Sequence, residues 1–259
     1  DVEPGEIVGL VGESGAGKSV ATASILRLVD SPGEIVGGEI VFDGETLFGL
    51  EEGPDGELRP HEEMLSESEM REQIRGRRIA IIFQDPMESL NPVFTVGGQL
   101  REFIELNRDL SPAAAKAEAI AMLREVGIPD PATRYEEYPH QFSGGMQQRV
   151  TIAQSLIYQP SVLLMDEPFG SLDAMTKDEL NMELLRIWNE TEKTILFITH
   201  DLDEAVFLSD RIVVLSTRPG RIVDDIEIDL PRPRNEDTRS RERFVELTAE
   251  LHGHFMSQK

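Results

Sequence analysis

The chain has 259 residues, of which 49 are acidic and 25 basic, giving a formal net charge of −24, and it contains no cysteine. The lack of cysteine excludes disulfides, thiolate zinc sites and cysteine nucleophiles. So acidic a surface argues against a nucleic-acid partner, because phosphate binding depends on local positive charge. The apolar runs are far shorter than the ~18 residues of a membrane-spanning helix, so contact with a membrane is expected to go through a partner.

The acidic surface is also poor in lysine, which occurs only at positions 18, 116, 177, 193 and 259. Salt relieves the self-repulsion of such a surface, because the Debye length shrinks from about 8 Å at physiological ionic strength to about 3 Å at 1 M. The composition is similar to that of proteins from halophilic archaea and predicts adaptation to a salty cytosol. A merely acidic, soluble protein is the alternative.

The first 95 residues alternate short apolar runs with polar segments. Ile7–Val11 leads into a glycine-rich turn and predicts a buried parallel strand, followed by a helix over about Lys18–Val29. Gly38–Phe42 and Ile79–Phe83 predict two further strands. Between them, residues 49–72 are rich in Glu and Ser and predict a solvated insertion, a mobile loop leading into a polar helix.

The middle of the chain is helical in pattern from about Val96 to Tyr158, with breaks at its prolines. Strands and helices then alternate again. The predicted strands are Val162–Met165, Thr194–Thr199 and Arg211–Ser216, and the predicted helices are Lys177–Thr191 and Leu202–Leu208. A last helix, docked on the core, is predicted by apolar residues at helical spacing, namely Phe244, Leu247, Leu251 and Phe255.

Strands separated by helices predict an α/β fold with a mainly parallel sheet and helices packed on it. Residues 1–95 and 159–230 form the predicted core. Residues 96–158 form a predicted inserted α-helical subdomain, and residues 240–256 form the predicted docking helix.

A phosphate-binding pattern, G-x-x-x-x-G-K-[ST], spans Gly12–Ser19 between a predicted strand and a predicted helix. Its glycines let successive backbone N–H groups turn toward phosphate oxygens, and the helix N-terminus adds roughly half a positive charge. Lys18 is expected to reach the β- and γ-phosphates, and the Ser19 hydroxyl to ligand Mg²⁺. The predicted nucleotide contacts are Gly12, Glu13, Ser14, Gly15, Ala16, Gly17, Lys18, Ser19 and Val20. The pattern predicts a P-loop NTPase that uses ATP and Mg²⁺.

Two carboxylates end the predicted strand Val162–Met165. Adjacent side chains of a strand point to opposite faces, so Asp166 is expected to hold the magnesium shell and Glu167 to polarise the attacking water. An Asp-Glu pair alone indicates no more than a solvated strand end. Downstream of a phosphate loop, it predicts a hydrolytic centre.

The stretch Gln141–Arg149, QFSGGMQQR, resembles the signature motif of the nucleotide-binding subunits of ABC transporters. Ser-Gly-Gly at the start of a helix makes a second anion-binding terminus. The resemblance implies an ABC-type ATPase fold in which this loop closes on the γ-phosphate held by a partner subunit. The implied contacts across the dimer are Ser143, Gly144, Gly145, Met146 and Gln147, with Met146 where many members of the family carry Gln.

Three further positions match the same family. Gln84, after the strand Ile79–Phe83, fits its Q-loop glutamine, a magnesium ligand and sensor of the permease. Asp173, in Ser171-Leu172-Asp173, fits the D-loop that communicates across the dimer. His200 fits the switch histidine that contacts the γ-phosphate. With Lys18 and Glu167, His200 completes the implied catalytic set.

The resemblance implies partners and a place. The partners are a second ATPase subunit, membrane permease subunits and, indirectly, an extracellular solute-binding protein. The place is the cytoplasmic face of the membrane. The implied function is the ATP-hydrolysing subunit of an ABC importer. A non-catalytic or truncated nucleotide-sensing or assembly subunit is the alternative, which intact Lys18, Asp166, Glu167 and His200 disfavour.

Two features depart from the family pattern. Only eleven residues precede Gly12, and none of them is aromatic, whereas the family has two strands there with an aromatic that stacks on adenine. Trimming of these strands is expected to weaken ATP binding ~10- to 100-fold. The chain up to about Ser155 resembles oligopeptide and dipeptide importer ATPases, whereas from about Pro160 it resembles nitrate, sulfonate and taurine importer ATPases, so both cargo classes stay open.

Overall fold

A computed structural model of the chain describes residues 1–83, 90–217 and 219–257, with side chains as far as residue 254. Within these residues the central sheet has six strands, in the spatial order β5-β6-β7-β1-β8-β9. They are β1 (Ile7–Gly12), β5 (Ile79–Ile82), β6 (Val162–Asp166), β7 (Thr194–Ile198), β8 (Arg211–Leu215) and β9 (Ile222–Glu227). The predicted α/β class with a mainly parallel sheet is confirmed.

Five neighbouring strands of the central sheet run parallel, in the spatial order β5-β6-β7-β1-β8. Their common direction determines where the candidate site lies. Every residue of β1 is buried, as expected for a strand with neighbours on both sides and helices on both faces. The register pairs Asp166 of β6 with Ile198 of β7, and Gly12 of β1 with Leu215 of β8. The segments that follow these strands therefore emerge along one edge of the sheet.

Strand β9 pairs antiparallel with β8 and was absent from the prediction. Its side chains are exposed or half-buried along its whole length. It therefore carries no continuous apolar run by which a strand could be recognised.

A second, antiparallel sheet is formed by β2 (Glu39–Phe42), β3 (Glu45–Glu52) and β4 (Leu58–Pro60). The prediction of a mobile loop from residue 49 is wrong, because β3 and β4 pair there as a hairpin. A short helix, α2 (Glu67–Glu69), follows and continues as a π-helical turn over Met70–Ile74. Met70 and Ile74 are fully buried and pack with Leu26 and Leu47. These few apolar anchors hold a segment whose composition is otherwise that of solvated chain.

The helix α1 (Lys18–Ile25) ends four residues before the prediction. Arg27 adopts a left-handed backbone conformation with φ 53°. Its guanidinium donates to the carbonyl oxygens of Leu47 and Leu65, at 3.2 and 2.7 Å. The chain therefore leaves the helix to satisfy these two carbonyl groups.

The central part of the chain is helical, as predicted. Its helices are α3 (Val96–Asn107), α4 (Pro112–Glu125), α5 (Pro131–Arg134) and α6 (Gly144–Leu156). Pro112 and Pro131 each stand in the first turn, where a missing N–H costs nothing. Leu100, Leu123 and Val150 of these helices share one apolar cluster with strand residues such as Ile82 and Leu163. Packing therefore ties the helices to the sheet.

The described part of the chain also contains the α-helices α7 (Ala174–Thr191), α8 (Leu202–Leu208) and α9 (Glu242–Ser257). Helix α9 packs on α8 and buries Phe244, Leu247 and Leu251. A search of the described residues finds no helix with both the length and the hydropathy needed to cross a bilayer.

Candidate nucleotide-binding site

The phosphate loop joins the end of β1 to the start of α1. Gly15 and Gly17 have φ of 83° and 88°, a left-handed conformation that other residues adopt at a cost. Neither glycine has an atom within 4 Å of an added Cβ, so it is the backbone conformation that requires glycine here. Where right-handed and left-handed backbone conformations follow each other, successive N–H groups converge on one anion.

Lys18 folds back over its own loop. Its side chain is buried, and Nζ donates to the carbonyl oxygens of Gly12 and Glu13 at 2.8 and 3.3 Å. Among the described residues, Lys18 has no carboxylate within ion-pair distance. An ammonium group has three donors, so a positive charge and one N–H remain for an anion in the loop.

Ser19 and Asp166 meet beside the phosphate loop. The pKa of Asp166 is raised by burial and by the neighbouring Glu167, although a hydrogen bond from Ser19 and the charge of Lys18 oppose this. Oδ1 of Asp166 is buried and has no hydrogen-bond partner among the described residues. A hydroxyl and a carboxylate with a free buried oxygen fit Mg²⁺, which takes oxygen ligands and keeps several waters.

Glu167 comes directly after the end of β6. Its backbone is left-handed, with φ 44°, and its N–H donates to the carbonyl of Ile198 at 2.9 Å. Non-glycine residues in this conformation cost roughly 1–3 kcal/mol and cluster at functional sites. Oε2 of Glu167 lies 2.9 Å from Nδ1 of His200, which follows β7. The structure therefore brings together Lys18, Ser19, Asp166, Glu167 and His200.

The signature stretch rests on the D-loop and on α7. Ser143 caps α6 and accepts the Met146 N–H at 3.3 Å. A Cβ on Gly145 would lie 2.4 Å from Cγ2 of Thr176, and one on Gly144 would lie 3.2 Å from Cδ2 of Leu172. Glycine is therefore required here by close packing. Ser143 and Gly144 are exposed, so the start of α6 is available to a partner.

Gln147 differs from the other residues of the implied signature contact. Its side chain is buried, and Nε2 donates to the carbonyl oxygens of Pro139 and Phe142 at 2.8 and 3.3 Å. The amide thus holds the loop before α6 in place and is turned away from the exposed surface. The structure gives Gln147 a supporting position and not one of direct contact.

Asp173 caps α7. Its carboxylate accepts from the N–H and the hydroxyl of Thr176, at 3.1 and 2.7 Å, and the hydroxyl hydrogen bond lowers the pKa of Asp173. The D-loop and the signature stretch therefore share Thr176 as a contact.

Gln84 lies outside the described residues. Val20 is 57% exposed on the first turn of α1.

One contact of the phosphate loop was not foreseen from the sequence. A Cβ on Gly220 would lie 2.4 Å from the carbonyl oxygen of Ala16, so the β8–β9 connection runs directly against the loop. The only local signal is a glycine after Pro219, and a glycine there is equally well explained by a turn. Gly220 is thus a tertiary contact of the site.

Comparison with known proteins bears on the whole chain. The family model described as ABC transporter matches residues 1–170. A probable peptide ABC transporter ATP-binding protein, y4tR of Sinorhizobium fredii, is 41% identical over 242 residues, which cover 92% of this chain and 67% of that protein. The dipeptide transport ATP-binding protein DppD of Escherichia coli is 39% identical over 223 residues, covering 86% and 63%. The chain thus spans about three-fifths to two-thirds of the length of these curated relatives.

Solved structures agree with these matches. The dimeric ATP-binding cassette MJ0796, bound to ADP and Pi in a post-hydrolysis state, superposes with a TM-score of 0.68 and is 26% identical, with 88% of each chain covered. A second dimeric structure of MJ0796 gives the same TM-score at 28% identity, again over 88% of each chain. With the phosphate loop and the acid pair placed on the same sheet edge, these matches show that the chain belongs to the ABC transporter family, as an ATP-binding cassette with the P-loop NTPase fold.

Proposed function

We propose that this chain binds MgATP and hydrolyses it, as the ATPase subunit of an importer for peptides. The observation that carries the proposal is the contact between Glu167 and His200, 2.9 Å apart, beside a phosphate loop and a carboxylate suited to magnesium. These are the parts of a phosphoryl-transfer centre: an anion cradle, a metal site and a residue that orients water.

Binding of the nucleotide follows from the loop. Backbone N–H groups, the N-terminus of α1 and the Lys18 ammonium would surround the β- and γ-phosphates. Ser19 and Asp166 would hold Mg²⁺, which neutralises charge that develops on the phosphate oxygens. In a chain with a net charge of −24, this local concentration of donors is what allows a polyanion to bind.

Hydrolysis would depend on Glu167 and His200. The carboxylate of Glu167 orients and polarises a water for in-line attack on the γ-phosphate. Nδ1 of His200 holds Oε2 of Glu167 in place. Because the His200 ring is 61% exposed, its other nitrogen remains accessible to the γ-phosphate.

A second ATPase subunit would complete each site. Ser143 and Gly144 are exposed at the start of α6 and next to the D-loop, so one continuous surface presents both elements. In a two-fold arrangement, each phosphate loop would face the partner's signature stretch, and one self-complementary surface would serve both sites. The related cassette MJ0796 is dimeric in both of its solved structures, which supports assembly into a dimer.

Exposed apolar residues on the helical part would receive the membrane permease. Large hydrophobic residues that are at least 40% exposed there are Val93, Phe94, Phe103, Leu106 and Tyr138. Val93, Phe94 and Tyr138 also line one groove. Exposed apolar surface on an otherwise charged protein marks an interaction site. Docking there would hold the chain at the cytoplasmic face of the membrane, with an extracellular solute-binding protein as an indirect partner.

The proposed cargo class rests on relatives rather than on the site. The curated relatives reported above serve peptide transport, and they support the oligopeptide and dipeptide interpretation of the N-terminal part. The resemblance of the C-terminal part to nitrate, sulfonate and taurine importers concerns the same ATPase core, which the cargo does not touch.

The test of this function compares wild-type protein with Glu167→Gln and with the control Glu250→Gln, which alters an exposed glutamate on α9. Phosphate release and binding of a fluorescent ATP analogue are measured at high salt. We expect Glu167→Gln to bind nucleotide normally and to release phosphate ~100- to 1,000-fold more slowly, while the control behaves as wild type. Undiminished release from Glu167→Gln would overturn the role of Glu167. A wild-type protein that binds ATP without hydrolysing it would support the non-catalytic alternative.

A further inference from the structure

A buried carboxyl group lies directly behind the switch histidine. Glu204, on α8, is 3% exposed, and its Oε2 lies 2.5 Å from Oγ1 of Thr199. Its Oε1 is also buried and makes no close hydrogen bond among the described residues, although the side-chain amide of Asn181 interacts weakly with the carboxyl group. Glu204 makes no ion pair within that part of the chain. A group of this kind is costly to bury, so its position calls for an explanation.

Thr199 relays this contact to both sides of His200. The residue precedes His200, and its Oγ1 also accepts the backbone N–H of Asp201 at 3.0 Å. One hydroxyl oxygen therefore fixes the residue before and the residue after the histidine. Because a hydroxyl can donate once and accept twice, both hydrogen bonds can exist together.

The segment around His200 is tied down further at Asp201. Its carboxylate caps α8 by accepting the Glu204 N–H at 3.2 Å, and it accepts from Lys177 of α7 at 3.1 Å. The His200 ring itself is largely exposed and contacts Glu167 through Nδ1. Its position is therefore determined mainly by the backbone that the buried groups hold.

We propose that Glu204 is a positioning residue for His200, the switch histidine. Glu204 acts through Thr199 and thereby holds the His200 ring against Glu167. This inference rests on the proposed function, in which His200 and Glu167 act together in hydrolysis. Glu204 is not a catalytic residue, because it touches neither the nucleotide loop nor the acid pair.

The electrostatics of Glu204 agree with this arrangement. Burial raises the pKa of the Glu204 carboxyl, although the hydrogen bond with Thr199 and the charge of Lys177 oppose the change. The hydrogen bond with Thr199 uses Oε2 of Glu204 as the acceptor. The amide of a glutamine has a similar shape, and its oxygen can accept the same hydrogen bond. The conservative variant Glu204→Gln should therefore retain the positioning effect, whereas Glu204→Leu should lose it.

The first experiment measures phosphate release and binding of a fluorescent ATP analogue in Glu204→Leu, Glu204→Gln and wild type. We expect Glu204→Leu to lower kcat about 10- to 100-fold, as a displacement of about 1 Å can do. Nucleotide affinity should stay within about twofold of wild type. Both quantities are measured because a residue with a packing role alone would not change kcat without changing affinity. Glu204→Gln should remain within about threefold of wild type. An equal loss of kcat in both variants would overturn the proposal, as would no loss in Glu204→Leu.

A second measurement does not depend on turnover. The ring resonances of His200 are assigned by comparison with His200→Gln and followed by NMR in each variant. They should move in Glu204→Leu and stay in place in Glu204→Gln, while those of the distant His140 remain unchanged. Unmoved His200 resonances in folded Glu204→Leu would contradict the proposal. Failure of the wild type to hydrolyse ATP would count against the proposed function only, because the NMR result stands independently.

If Glu204→Leu does not fold, Thr199→Val is the decisive variant. The valine removes only the relaying hydroxyl and keeps the shape of the threonine side chain. Thr199→Val should reproduce the loss of kcat. The double variant with Glu204→Gln should lose no more than Thr199→Val alone, because both changes act on one hydrogen bond. Wild-type kcat in Thr199→Val would refute the relay.

Discussion

Nδ1 of His200 lies 2.9 Å from Oε2 of Glu167, although 33 residues separate the two. They meet because β6 and β7 are neighbouring parallel strands, in a register that pairs Asp166 with Ile198. Glu167 is the first residue after β6 and His200 the second after β7, so both emerge at the same edge of the sheet. The backbone of Glu167 is left-handed at this point, with φ 44°.

Replacement of His200 by alanine should slow phosphate release ~100-fold, the order expected when a positioned acid–base group is lost. Nucleotide binding should change little, because the phosphate loop and Lys18 remain intact. Steady-state phosphate release and binding of a fluorescent ATP analogue check the two expectations. His140→Ala is the control: that ring stacks on Tyr138 at a centroid distance of 5.8 Å and should not matter. Equal rates in the two variants would show that the Glu167–His200 contact is incidental.

Gly220→Ala should weaken nucleotide binding. The new methyl group would lie 2.4 Å from the carbonyl oxygen of Ala16. Because this oxygen is a backbone atom of the phosphate loop, the loop itself must shift. Overpacking of this kind costs typically about 1–3 kcal/mol, which corresponds to roughly 5- to 150-fold in affinity if it falls on the loop. Titration with ATP measures this. The matched control is Gly37→Ala, where no atom lies within 4 Å of the added Cβ.

Gly145→Ala should destabilise the contact between the signature stretch and α7, because the new Cβ would lie 2.4 Å from Cγ2 of Thr176. The expected loss is about 1–3 kcal/mol of unfolding free energy, seen by denaturant unfolding. Thr176→Ser removes that methyl and should recover most of the loss in the double variant. A double variant no more stable than Gly145→Ala would place the strain elsewhere.

Gly253→Ala on α9 is the contrasting case, because the added Cβ meets no atom within 4 Å. This variant should raise the free energy of unfolding by about 0.5–1 kcal/mol, since alanine is the better helix former.

The effect of Glu204→Gln on stability should depend on pH. Burial raises the pKa of Glu204 above its ordinary value of 4.5, so in the window above pH 4.5 the folded protein holds more protons than the unfolded chain. The stability contributed by the protonated group is complete below pH 4.5 and is lost as pH rises through the folded pKa. Glutamine lacks this titration. The variant should therefore gain stability relative to wild type as pH rises above 4.5, and the gain should grow until the folded pKa is passed.

Denaturant unfolding of both proteins at several pH values measures this difference. Glu250→Gln, which replaces an exposed carboxylate on α9, serves as the control. A difference between Glu204→Gln and wild type that stays constant, or that falls as pH rises, would contradict the prediction.

The melting temperature should rise with KCl between about 0.2 M and about 3 M, where screening relieves the self-repulsion of a surface with 49 acids and 25 bases. Thermal unfolding followed by circular dichroism across this range checks the prediction. A melting temperature that falls with KCl would argue against salt adaptation.

The phosphate loop and the order of strands and helices could be read from the amino-acid sequence alone, because both depend on local rules. Glycines that must adopt positive φ, a lysine and a serine at fixed spacing, and apolar runs of strand length all act within a few residues. The same locality explains the errors. The strands β4 and β9 have exposed or half-buried sequences, and each is a strand only because a neighbour pairs with it.

The pairing of distant groups was decided by the tertiary structure. The contacts of Glu167 with His200, of Ser19 with Asp166 and of Gly220 with Ala16 follow from the spatial order β5-β6-β7-β1-β8-β9, which differs from the order along the chain. The contact of Gly145 with Thr176 follows from the packing of α6 on α7. Resemblance to a family named the residues of the site. Only the packing of strands in register shows which of them touch, because a distance between side chains is a property of the sheet and not of the spacing in the sequence.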